Sequence, residues 1–208
     1  MQPNVDLALA TFEKARAAAF RLTPEGELDW QRTVEPEHFT ESDLLRETAW
    51  VILCGGFRES MVRRVFDYIS LCFFDWQSAA EITAASDACA LSASRAFKNP
   101  RKLAAIVEVA RRVEHAGFYA LKRSIVERPM TELRLLPHIG EVTVWHLAKN
   151  LGFDVAKPDR HLVRMAHAHG FSDPHTFCAA LAQATGERVR VIDLMLWRYA
   201  AAGSWKNT

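Results

Sequence analysis

At 208 residues the chain suits one large domain or two small lobes and can bury a substantial core. Half of its residues are apolar and a quarter charged, the balance of an ordinary globular protein. A net charge of +1 removes bulk charge as a sign of a nucleic-acid partner, so any such binding must come from a local basic face. Four cysteines (Cys54, Cys72, Cys89 and Cys178) lie far apart with no C-x-x-C pair, which fits neither a zinc site nor a disulfide framework and points to reduced thiols. The N-terminus has no basic-then-apolar leader pattern and no apolar run approaches a membrane span, so the expectation is a soluble cytoplasmic protein.

The period is helical almost everywhere. "NVDLALATFEKARAAAFRL" repeats apolar residues every three or four positions and is alanine-rich, a first helix. "TPEGELDWQRTVEPEHF", with two prolines and a glycine, is expected to be a connection. Thr40 and Asp43, spaced like a capping box, open "DLLRETAWVILC", which Gly55-Gly56 ends. "RESMVRRVFDYISLCFFDW" is expected as the next helix, followed by short helices in "SAAEITAA" and "DACALSASRAF". "NPRKLAAIVEVARRVEHAGF" carries the stripe Leu103, Ile106, Val107, Ala110 and Val113 with Arg and Glu opposite, and "FYALKRSIVE" continues in helix to Pro129. "MTELRLLPHIGEVTVWHLAKNLG" is a helix, a four-residue turn and a helix, with Gly140 where the turn needs positive φ or close backbone approach. Leu133 and Leu136 are expected to pack on Val142, Val144, Trp145 and Leu147. "FDVAKP" then runs extended into Asp159, and two amphipathic helices, "DPHTFCAALAQAT" and "ERVRVIDLMLWRYAAAG", complete the chain. No alternating apolar run is long enough for a strand. The fold class is all-α.

Two stretches carry chemistry. A tight helix–turn–helix points backbone N–H groups outward at the positive end of the second helix, a small anion site suited to a phosphate. Asp159 stands at the start of the following helix, either as a plain N-cap or as a working carboxylate. Leu136-Pro137-His138-Ile139-Gly140, followed by Asp159-Arg160-His161-Leu162-Val163-Arg164, resembles the helix-hairpin-helix DNA glycosylases related to endonuclease III. Upstream, "LLRETAWVILCGGFRESMVRRVFDYI" and "AFKNPRKLAAIVEVARRV" are similar to that family's barrel helices, so the likeness covers roughly residues 40 to 170.

The resemblance implies a two-lobed fold: a helical barrel lobe over 40–155 that includes the hairpin at 131–152, and a second lobe from 1–39 plus 156–208. It implies double-stranded DNA carrying a damaged or modified base as partner, a monomer, and base-excision repair in the cytoplasm, at the nucleoid in a bacterium. The hairpin residues Pro137, His138, Ile139, Gly140, Val142 and Thr143 would hold the backbone, with Arg160 and Lys157 beyond them. Such an enzyme flips the base out of the stack. Asp159 would activate water and stabilise the cationic sugar as the N-glycosidic bond breaks.

Departures from the family refine this. Val142 occupies the place of the lysine that forms a Schiff base in strand-nicking members, which points to a monofunctional enzyme. His138 replaces the usual first hairpin glycine, and the C-terminal cysteine cluster of the iron–sulfur branch is absent. Gly56 stands where relatives carry a glutamine wedge, leaving Phe57 or Arg58 to fill the vacated stack. For the base pocket the resemblance suggests Glu47, Trp50 and Cys54 on one face of the barrel helix with Val51, and Trp30 or Trp76 as stacking platforms, each tryptophan being otherwise a core residue. A glutamate in this setting is more often solvated or salt-bridged, here to Arg46 or a neighbouring arginine. The histidines form no metal set, so no catalytic metal is expected. The resemblance allows only a monovalent cation at the hairpin, with no other cofactor. The competing expectation is a DNA-binding or lesion-recognising protein of the same fold without catalysis.

Overall fold

The computed structural model describes residues 2–205. Among them the chain forms thirteen α-helices and no strand: α1 (Val5–Leu22), α2 (Glu27–Thr33), α3 (Glu41–Cys54), α4 (Glu59–Cys72), α5 (Ala79–Ala84), α6 (Ser86–Ala93), α7 (Pro100–Ala116), α8 (Phe118–Glu127), α9 (Pro129–Arg134), α10 (Thr143–Asn150), α11 (Arg160–Ala168), α12 (Pro174–Thr185) and α13 (Val189–Ala201). None of them is long and apolar enough to cross a membrane. The chain divides into two compact units, a terminal one of Met1–Glu35 with Gly152–Thr208 and a central one of Pro36–Leu151.

The terminal unit is organised on α13, where Val191, Ile192, Leu194, Met195 and Leu196 are all buried. Asn4 caps α1 by accepting the Leu7 amide at 2.9 Å, and Ala8, Phe12, Ala15 and Ala19 then recur at helical spacing. That stripe packs on α12 and α13, and its small alanines let the helices approach closely. Gly170 (φ 82°) has no alternative, because a Cβ there would stand 2.4 Å from the Gln2 carbonyl oxygen. The segment 23–39, expected as a plain connection, contains α2. Gly26 enters it with φ 76°, and Glu27 is anchored by Arg198 of α13 at 2.7 Å, so long-range contacts stabilise a helix too short to stand alone.

In the central unit the capping box of α3 is complete: the Asp43 amide donates to Thr40 Oγ1 at 3.1 Å and the Thr40 amide to Asp43 Oδ2 at 2.8 Å. α3 packs on α4, α7 and α10 through Leu44, Ile52, Leu103 and Leu147 among others. The helix expected over 58–76 stops at Cys72. Phe74, Asp75 and Trp76 instead make a left-handed turn, with φ of 54°, 47° and 64°. Burial compensates for that backbone: Trp76 stacks on Phe73 at 5.2 Å and donates its indole N–H to Ser70 Oγ at 2.8 Å. The helix expected to reach Phe97 ends at Ala93, and Gly117 (φ 75°) separates α7 from α8.

The units divide at Pro36 and Gly152 instead of at 40 and 156. Arg190 of α13 explains the shift. Its guanidinium, wholly buried, donates to the carbonyls of Gln31 (2.6 Å), Val34 and Gly152, and its amide to Asp154 Oδ1 (3.0 Å). Those bonds fasten the chain at both crossings to the terminal unit.

Candidate functional site

The hairpin belongs to the central unit. After α9 the chain turns with Leu136 N–H donating to Leu133 O and Ile139 N–H to Leu136 O, both at 3.1 Å. Its left-handed residue is His138 (φ 59°), and Gly140 shows neither the positive φ nor the close backbone approach expected of it. Histidine tolerates this region better than most residues, which lets it stand at the first glycine position of the motif. Gly140 serves differently: its N–H donates to Thr143 Oγ1 at 2.7 Å, and its carbonyl receives the Val144 amide at 3.0 Å and the Thr143 hydroxyl at 3.3 Å. Leu133, Leu136, Ile139, Val144 and Leu147 are buried beneath the turn, whereas Val142, expected in that core, is 42 % exposed because it precedes the first turn of α10.

The amides left over by these bonds are the ones that an anion could use. The amides of Ile139 and Gly140 are consumed within the turn, and those of Glu141, Val142 and Thr143 open α10 without a protein acceptor among the described residues. Ile139, buried in its side chain, can offer only backbone; Pro137 is half-buried and His138 exposed. Glu141 brings a negative charge to the turn, which Arg134 neutralises by an ion pair. For a monovalent cation, Gly140 O already has two donors, leaving the carbonyls of His138 and Ile139 as the oxygens that fit.

A charge placed at Gly140 probes this surface without disturbing the fold. A Cβ there meets only Thr143 Oγ1 at 4.0 Å, and the backbone has no positive φ to strain. If the hairpin holds a DNA phosphate, as the sequence leads one to expect, Gly140→Asp weakens binding to every duplex alike by about fivefold at low salt, since unit charges about 4 Å apart in water interact by about 1 kcal/mol. A titration showing unchanged affinity would take the hairpin out of any DNA interface.

Asp159 lies in the terminal unit. It is the N-cap of α11, with φ −83° and ψ 168°, and its Oδ1 accepts the amides of His161 (2.8 Å) and Leu162 (3.1 Å). Oδ2 has no protein partner among the described residues. The two expectations for Asp159 are thus compatible: one oxygen caps, the other is open. Upstream, the Lys157 amide donates to Asp193 Oδ1 at 2.8 Å, and the Asp159 amide to Lys157 O at 2.8 Å. Arg160 is exposed and Lys157 half-buried. Burial pushes the His161 ring below its ordinary pKa while the Asp159 carboxylate pulls the other way, and its Nδ1 is buried without a hydrogen bond.

Of the residues expected at a base pocket, Glu47 is buried (5 % exposed) in the central unit. Burial raises its pKa, against the pull of Arg46, which ion-pairs with it, and of Asn150, whose Nδ2 donates to Oε2 at 2.8 Å. Sequence reading missed Asn150, the last residue of α10. Trp50 is half-buried, edge-on to Phe66 at 5.0 Å with the Arg63 guanidinium 5.2 Å from its ring centre, so it is no open stacking platform. Trp76, at 1 % exposure, is a core residue and the stacking role falls. Cys54 is half-buried beside Gly55. Trp30 sits half-buried on α2 and belongs to the terminal unit, whereas Glu47, Trp50 and Cys54 belong to the central one.

At the expected wedge, Gly56 turns the chain with φ 77°. Phe57 is 39 % exposed, its ring braced by Phe97 at 5.1 Å and by the Lys102 ammonium at 5.5 Å, and Arg58 is exposed before α4. Lys102 itself donates to the Ile52 carbonyl at the end of α3. Lys149, on α10, is buried.

No family model, curated protein or solved structure matches this chain.

Proposed function

We propose that the protein is a monofunctional DNA glycosylase, which hydrolyses the N-glycosidic bond of a flipped, damaged or modified base and leaves an abasic site. One observation carries the reading: Asp159 is fixed as a helix cap through Oδ1 while Oδ2 is open to act on a substrate. The hairpin that precedes it in the chain, with unpaired amides at the start of α10, supplies the kind of phosphate contact that holds a duplex without reading sequence. In this reading the bond between base and sugar breaks with its electron pair leaving on the base. The sugar becomes cationic at its anomeric carbon, and water adds there with its proton accepted by Asp159. A carboxylate beside DNA repels phosphates, so a protein that only binds would use Asp159 for its cap alone, which asparagine or serine serves without the repulsion.

The product chemistry follows from residue 142. A valine side chain cannot form a Schiff base, and Lys149 of α10 is buried. The expected result, across duplexes that each carry one lesion, is free base from at least one of them, with strands intact until alkali or heat is applied and no covalent adduct trapped by borohydride. Efficient trapping would overturn the monofunctional assignment, and release from no duplex would overturn the glycosylase.

A further inference from the structure

We infer that Asp193 is a positioning residue for Asp159, holding the link before α11 so that the open carboxylate oxygen has one direction; the inference rests on the catalytic reading of Asp159. Asp193 is 1 % exposed, on a helix whose other buried side chains are apolar apart from Arg190. A buried carboxylate is retained at a cost in desolvation, so its hydrogen bonds are the place to look for its use. Its Oδ1 accepts the Lys157 amide at 2.8 Å. Pro158 follows, with no N–H and a fixed φ, and the next donor is the Asp159 amide, which returns to Lys157 O at 2.8 Å. Lys157 is thus clamped through its N–H to α13 and through its carbonyl to Asp159, with a proline stiffening the step between.

The upstream end is fastened from the same helix. Arg190, one turn before Asp193, grips the Gly152 carbonyl with its side chain and Asp154 Oδ1 with its amide. The irregular segment Gly152–Lys157 is therefore pinned at both ends by residues three apart on α13. Beyond it, Asp159 Oδ1 is tied to the first amides of α11, whose Leu162, Met165 and Ala166 sit in the same core as α13. Positioning of this kind is what a charge-stabilising group requires, because a displacement of about 1 Å can cost about 10² in rate.

The test compares Asp193→Leu, which matches the volume and removes the acceptor, with Asp193→Asn, which keeps a side-chain carbonyl for the Lys157 amide. Hydrogen exchange over residues 152–160, single-turnover base release and duplex affinity are read on each. For Asp193→Leu the expected result is faster exchange in 152–160, with α12 and α13 still protected. Base release falls about 10- to 100-fold and affinity stays within about twofold. Asp193→Asn is expected to restore most of the rate. Full-rate release by a folded Asp193→Leu variant overturns the inference and leaves the glycosylase standing. A wild-type protein that releases no base from any duplex overturns both. Should Asp193→Leu not fold, the wild-type protein decides by NMR: the Lys157 amide exchanges far more slowly than in a free chain, and exchange at the free-chain rate overturns the clamp.

Discussion

Asp159→Asn is expected to keep the helix and lose the chemistry. An asparagine carbonyl can accept the amides of His161 and Leu162 as the Oδ1 of the carboxylate does, and asparagine caps helices about as well as aspartate. The melting temperature is therefore expected to stay within a few degrees of the wild type. In the proposed reaction the charge that would steady the developing sugar cation is gone, and removing one such electrostatic group costs about 10²–10³ in rate. In the same reading affinity for duplex holds or tightens slightly, because a carboxylate that would repel phosphates has been neutralised. Single-turnover base release on the best substrate, read beside the melting temperature, decides the matter. A folded variant that excises at the wild-type rate would return Asp159 to the role of a cap.

The second large effect is on stability. Arg190→Met preserves most of the buried stem and is expected to destabilise the protein by about 4 kcal/mol. The loss comes from the carbonyls of Gln31, Val34 and Gly152, which the guanidinium satisfies and a thioether cannot. Each buried polar group left unmet costs about 1–3 kcal/mol, and neighbouring losses do not sum fully. Glu35, 3.9 Å from the guanidinium, also loses a partner, although Arg188 still holds it at 2.6 Å. Against a total stability of about 5–15 kcal/mol this is a large share. At about 2–4 °C per kcal/mol for a chain of this size, the melting point should fall by about 8–16 °C. A fall of a degree or two would mean that water or a repacked backbone serves those carbonyls.

What could be read from sequence, and what could not, divides along sequence separation. The Thr40–Asp43 box, the stripe of α7 and the proline-to-aspartate entry into α11 are local patterns, and each element stands where its pattern puts it. α2 escaped notice because seven residues among prolines and a glycine carry too little periodicity, and distant partners on α13 stabilise it. The hairpin was legible in its order of residues but not in its backbone, since His138 and Gly140 of the turn both permit left-handed φ and only the geometry assigns it to His138. Asn150, Arg190 and Asp193 were silent because their partners lie far away in sequence. Their one available signal was polarity inside an apolar pattern. In "VRVIDLMLW" the arginine and aspartate, three apart, fall on a helix with no solvated face to put them on.

The terminal unit is assembled from both ends of the chain, with 116 residues of the central unit, 36–151, inserted between. That arrangement sets an order of events during synthesis. α1 is made well before α12 and α13, the helices on which its stripe of Ala8, Phe12, Ala15 and Ala19 packs. At about 5–20 residues per second the wait is on the order of ten seconds, during which the central unit can complete its own core. α1 is thus made early and buried late, and for that interval its apolar face is a surface that a chaperone would have to cover.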